Sequence, residues 1–184
     1  MKIPTLPWLR LFSASVVLLI STQLAFAHGP TRQKVNESIQ ISASAEDVWA
    51  VIGDFGAADQ WLPMVEGIES EGGNLEGATR VLMLGGDAKI FETLRKHSNE
   101  KMSYSYKIPV KTHDVAILPV NNYSSTLSVK ADGDNSIVTW KGAFYRGYPN
   151  NDPPEELNDE AAVAAVTAVY QAGLTNLKSM LENK

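Results

Sequence analysis

The chain has no cysteine among its 184 residues. That excludes a disulfide framework, a thiolate nucleophile and a cysteine metal site. Histidine is scarce as well. His28, His97 and His113 are the only ones and share no metal-ligand spacing, so no metal site is expected. There is no glycine-rich phosphate loop, no GxSxG elbow and no HExxH pair. Neither a catalytic residue nor a cofactor is therefore expected. A long hydrophobic run is also missing: the longest, Leu11 to Ile20, has about half of the ~20 residues that a spanning helix needs, so no membrane span is expected.

That short run has the flanks of an export signal. Lys2 and Arg10 precede it, no acid occurs before His28, and Ala25-Phe26-Ala27 follows the polar Ser21-Thr22-Gln23. Residues 1–27 read as a cleavable signal peptide and His28 as the first mature residue of an exported chain. The remainder has 14 Lys and Arg against 21 Asp and Glu, a net charge of −7. Such an excess of acid argues against nucleic acid and anionic membranes, and suits a basic partner.

Residues 28–33 show no periodicity and read as a flexible arm, leaving 34–184 as one domain. Lys34 to Ile41 alternates, as a strand does. Ser44 caps a short helix whose apolar side is Val48, Trp49 and Ile52, and Asp54 to Trp61 reads as a second short helix. From Val65 the period becomes two. Strands are expected over 65–70, 78–84, 88–96, 101–108, 123–130 and 136–146, mostly joined by tight Gly, Asn and Asp turns that imply antiparallel neighbours. Asn158 to Leu181 repeats apolar residues every three or four positions, which marks one long helix. Gly173 inside it costs ~1 kcal/mol relative to alanine, which a close approach to the sheet would explain. The fold class is thus α+β: a curved antiparallel sheet wrapped around a long C-terminal helix, with two short helices after the first strand.

Several phrases resemble the SRPBCC superfamily of START-like and Bet v 1-like helix-grip proteins, of the polyketide cyclase type. They are Ser44-Ala45-Glu46-Asp47-Val48-Trp49, Gly77-Ala78-Thr79-Arg80, Phe91-Glu92 and Tyr104-Ser105-Tyr106. A narrower likeness lies in His28 to Val35, Pro119 to Leu127 and Gly142 to Pro154, which resemble the MxaD-type periplasmic proteins of methanol oxidation. That resemblance implies an accessory protein. Its partners would be a quinoprotein methanol or alcohol dehydrogenase and its cytochrome c, between which it would promote electron transfer. The wider superfamily implies the alternative, a carrier or sensor of a small hydrophobic ligand or lipid. Lys111 to Leu118 has no counterpart in this likeness.

Two groups of residues are candidates for function. Tyr104 and Tyr106 share one strand face, as do Trp140 and Phe144; they either pack as core or line a ligand cavity. Arg80 and Glu92 have the parity of apolar neighbours. If that parity points inward they must pair, as a structural salt bridge or as a polar anchor for a ligand. Glu92 as an acid–base group would belong to a cyclase-like enzyme, for which no nucleophile is evident. The second group is the loop carrying Tyr145, Arg146, Tyr148, Asn150, Asn151 and Asp152. Its Tyr and Arg suit a partner contact, although the loop must also connect a strand to the long helix. As exposed contacts, Arg146 and Tyr148 would be replaceable by alanine without loss of thermal stability.

Overall fold

The computed structural model describes residues 29–183; the expected signal peptide, residues 1–27, and the expected first mature residue, His28, lie outside them. Seven strands form one antiparallel sheet: β1 (Gln33–Ile41), β2 (Gly67–Glu71), β3 (Thr79–Met83), β4 (Lys89–Ser98), β5 (Ser103–Lys107), β6 (Val120–Asp132) and β7 (Asn135–Arg146). Their spatial order is β1-β7-β6-β5-β4-β3-β2, so each hairpin from β2 to β7 joins direct neighbours. Only the connection from β1 to β2 runs from one edge of the sheet to the other, and β1 pairs with β7 over its full length, Gln33 opposite Phe144 and Ile41 opposite Ser136. The curved, open sheet holds the long helix α2 (Asp159–Glu182), and a short helix α1 (Ala45–Ile52) lies near one end. No helix among the described residues is long and apolar enough to cross a membrane.

Local chemistry sets these boundaries. The Ser44 hydroxyl accepts the Asp47 amide at 3.1 Å and starts α1, and Asn158 does the same for α2 through the Ala161 amide at 2.8 Å. Helix α2 buries Ala162, Val166, Tyr170, Gly173, Leu174, Leu177 and Leu181 against the sheet. A side chain at Gly173 would stand 2.6 Å from Leu62 and 3.1 Å from both Trp61 and Trp140. The glycine thus lets helix and sheet close on two indoles, and each large side chain buried there contributes about 1.5–3 kcal/mol.

Some elements differ from expectation. The second helix is a 3-10 segment, Phe55–Gln60, because the Asp54 carboxylate captures the Gly56 amide at 2.9 Å and the chain kinks at Ala57. Strand β5 starts at Ser103, two residues late, since Met102 turns with φ +43°. Strand β6 starts early, at Val120, and carries a bulge where Asn122 adopts φ +47°. Its register with β7 slips between Asn121 and Ser124. Gln33, placed in the arm by its sequence, belongs to β1, and Arg32 before it donates to the Ser124 hydroxyl at 3.2 Å.

Candidate functional site

Alternate residues of the strands face α2, and their chemistry is aromatic. Trp140 of β7 stacks on Tyr170 of α2 with ring centres 4.1 Å apart, and on its other side meets Trp61 at 5.3 Å. Gly142 makes room for the Tyr170 hydroxyl, which would lie 2.5 Å from a side-chain carbon there. That hydroxyl sits in a chain of bonds with one consistent direction. Ser125 Oγ donates to the Lys141 carbonyl at 2.9 Å and so must accept from Tyr170 at 2.9 Å. Tyr170 in turn accepts from the Tyr123 hydroxyl at 2.6 Å. The Trp140 N–H is shared between Ser125 at 2.8 Å and Tyr106 at 3.0 Å. These four hydroxyls and the Trp140 indole are thereby engaged with one another, whereas the buried Trp61 N–H has no partner among the described residues.

Arg80 on β3 and Glu92 on β4 are directly paired residues and both point inward. Arg80 Nε donates to Glu92 Oε2 at 2.6 Å, and its Nη1 donates to the Phe55 carbonyl at 2.7 Å. The guanidinium lies 4.1 Å over the Phe55 ring and 5.2 Å from that of Tyr106. The two side chains are 1% and 6% exposed. Burial pushes the Glu92 carboxyl above its ordinary value, and the Arg80 charge works against that shift. Burial also opposes the charge on Arg80, but Glu92 and the neighbouring tyrosines outweigh it and hold the guanidinium protonated.

A cavity of about 90 Å³ remains beside this pair. Arg80, Glu92, Tyr106 and Trp140 stand in its wall. Tyr104 and Phe144 do not line it. Tyr104 packs among Trp49, Phe55 and His97, and Phe144 stacks on Tyr123. The wall is completed by Leu62, Met64, Ile117, Leu118, Tyr123 and Val169 among others, which sequence reasoning missed. Ile117 and Leu118 come from the irregular stretch between β5 and β6, where no strand or helix period was there to signal them. His97 and His113 donate ring N–H groups to the carbonyls of Gly53 and Leu118, at 2.7 and 2.8 Å.

The loop after β7 is built differently from an exposed contact surface. Arg146 is only 8% exposed. Its Nε donates to the Tyr148 carbonyl at 2.9 Å, its Nη2 to the Asn150 carbonyl at 2.8 Å, and its Nη1 meets Asp159 of α2 at 3.3 Å. It thus holds the loop from inside, and its expected role as a freely replaceable surface residue is corrected here. The even parity it shares with Trp140 and Phe144 carried the signal. Asn150, Asn151 and Asp152 are exposed at the loop tip, Tyr148 is half-buried, and Tyr145 stands on the opposite, outer sheet face beneath Arg32.

Four tyrosines, Tyr104, Tyr106, Tyr123 and Tyr170, are held above their ordinary value, in each case chiefly by burial. A group whose folded value is raised contributes stability that is complete below its unfolded value and is lost as pH rises towards the folded one. Stability is therefore expected to hold to about pH 10 and then fall steeply. Ultraviolet titration should show phenolate absorbance from these residues appearing together with loss of the near-ultraviolet dichroism. Gradual ionisation of all six tyrosines in a folded protein would contradict it.

With the fold and interior established, comparison with known proteins decides the family. The model of the family described as polyketide cyclase / dehydrase and lipid transport matches residues 32–182. The chain belongs to that family. Its fold is shared with an uncharacterized protein of Bacillus thuringiensis, 29% identical over 82% of this chain and 99% of that one, with a TM-score of 0.67. XoxI of Bacillus cereus is also 29% identical, over 82% and 96% of the two chains, with a TM-score of 0.67. Norcoclaurine synthase of Thalictrum flavum shares the fold at 16% identity, over 84% and 89%, with a TM-score of 0.58. Among curated proteins none matches the chain. The SRPBCC, Bet v 1-like architecture expected from the short phrases is thus the one this family member has.

Proposed function

We propose that this family member is a periplasmic accessory protein that works by docking on other proteins. The observation that carries the reading is the size of the interior hollow. Drug-sized and larger ligands occupy roughly 300–1,000 Å³, whereas the space beside Arg80 and Glu92 is about 90 Å³. A lipid does not fit there without rebuilding the core, and the polar groups in the wall, Arg80, Glu92, Tyr106, Tyr123 and Trp140, bond to protein groups already. The outer surface is what remains available for function. The MxaD-like segments at 28–35, 119–127 and 142–154 support a finer statement. The partners would be a quinoprotein alcohol dehydrogenase and its cytochrome c, and the protein would raise the rate of their productive encounters. Export by residues 1–27 would place it in the same compartment.

The test is a reconstitution. The protein purified from its host periplasm is added to the purified dehydrogenase and cytochrome c, and cytochrome reduction is followed by stopped flow. Reduction is expected to accelerate at low ionic strength and to lose that gain as salt screens the encounter. Unchanged rates at every salt concentration, with no binding to either protein, would sink the reading. A second reading, a small apolar ligand beside the Arg80–Glu92 pair, is favoured by the polar wall of an otherwise apolar hollow. Native mass spectrometry showing a retained small molecule would move the conclusion there.

A further inference from the structure

We propose that the outer face of the sheet is a docking trough for an acidic segment of a partner protein. The inference deepens the docking reading, on which it rests, by naming the face used and the charge of what it receives.

Strand alternation sends every second side chain away from α2. Across five neighbouring strands those outward positions hold Lys34 on β1, Lys141 on β7, Lys130 on β6, Lys107 on β5, and Lys89, Arg95 and Lys96 on β4, all exposed. Half of the 14 bases after residue 27 thus share one face of a chain whose net charge is negative. The outward positions of the same strands hold a single acid, Asp132 at the tip of β6, which is bonded to Gln40 at 2.7 Å. Glu69 and Glu71 stand apart, on β2 at the sheet edge. Among the described residues none of these seven cations is in an ion pair.

The register arranges them. Asn36, Lys141, Thr126, Ser105 and Lys96 lie directly opposite one another across β1, β7, β6, β5 and β4. The next row is Lys34, Ala143, Ser124 and Lys107. Four of the seven cations, Lys34, Lys141, Arg95 and Lys96, line a trough of about 580 Å³ whose floor includes Ser105, Ser124 and Thr126. From β7 to β4 is three strand spacings, about 14 Å, wide enough for a helix of roughly 10–12 Å diameter or an extended loop. The bulge in β4, between Leu94 and Lys96, leaves both Arg95 and Lys96 exposed and doubles the charge on that margin. Arg32 extends the opposite margin by its bond to Ser124. The Ser105 and Thr126 side chains are part-exposed in the trough, where their hydroxyls can donate to a carboxylate.

Shape favours a protein segment over a lipid surface. A flat bilayer cannot reach a floor recessed between lysine stems, and neither Phe91 nor Ile137, the exposed apolar residues of this face, lines the trough. A convex acidic segment meets both the cations and the hydroxyls. The field of such a charged cleft would act first on the rate of encounter.

The test compares the exported protein with Lys96→Glu/Lys141→Glu, and with Lys101→Glu/Lys111→Glu, which alters net charge equally outside the trough. Lys96→Gln/Lys141→Gln serves if charge reversal impairs folding. Each is measured for binding to immobilised poly-L-glutamate, to phosphatidylglycerol vesicles and to the purified dehydrogenase and cytochrome c. Poly-L-glutamate is expected to retain the unaltered protein at low salt, the trough variant to bind at least about tenfold more weakly, and the control to stay within about twofold. No retention of the unaltered protein, equal losses in trough and control variants, or a preference for vesicles would overturn the proposal. So would a dimer in sedimentation that the trough variant dissolves, because the occupant would then be a second copy. If the redox proteins bind but ignore the trough variant, the trough is wrong and the docking reading stands. If poly-L-glutamate discriminates but neither redox protein binds, the trough stands and those partners are wrong.

Discussion

Arg80→Leu is expected to lower the unfolding free energy by about 3–5 kcal/mol, because it leaves the Glu92 carboxylate buried without its counter-charge. Arg80→Leu/Glu92→Leu should recover most of that loss. Removing both charges removes the desolvation penalty, and the remaining cost is the Phe55 carbonyl left without its donor, about 1–2 kcal/mol. Urea unfolding of the two variants, at unchanged m-value, makes the comparison. The single variant should also improve as pH falls. Its unpaired Glu92 is raised further by burial, so the penalty is full at neutral pH and fades as the carboxyl takes up a proton. A double variant as unstable as the single one would mean that the pair is worth more than its desolvation cost, and that it organises the core instead of merely satisfying itself.

Arg146→Ala is expected to destabilise by about 2–3 kcal/mol, since three groups lose a charged partner and the loop loses its internal tie. Hydrogen exchange in residues 147–152 should speed up more than in the sheet. Arg146→Lys should rescue little, as one ammonium cannot reach Tyr148, Asn150 and Asp159 in three directions at once. An unchanged melting temperature with a protected loop would refute the clamp. Any loss of binding by this variant therefore reports on loop order, whereas Tyr148→Ala probes the loop surface more directly.

The parts of the fold legible in the sequence are those governed by a local period. Alternation from residue 65 onward marks each strand, and spacings of three and four mark α2. Parity alone brings Arg80 and Glu92 to the same interior and implies their pairing, and Gly173 inside an otherwise apolar helix face signals close approach. The bulges at Arg95 and Asn122 were not legible, because a one-residue slip becomes visible only against a partner strand. The cavity wall was half hidden for a related reason: Ile117 and Leu118 lie in a stretch with no period. The basic face was hidden by summation. A net charge adds all residues together, so an acidic total suggested a basic partner while half the cations stood segregated on one side of the sheet.

That segregation also bears on descent. In β7, Lys141 faces outward while its neighbours Trp140 and Gly142 face the packed interior. Adjacent codons therefore answer to separate constraints, one set by the charge of the outer surface and the other by whether the chain folds. A lineage can remake its outer face through outward positions alone, and the scaffold passes on intact.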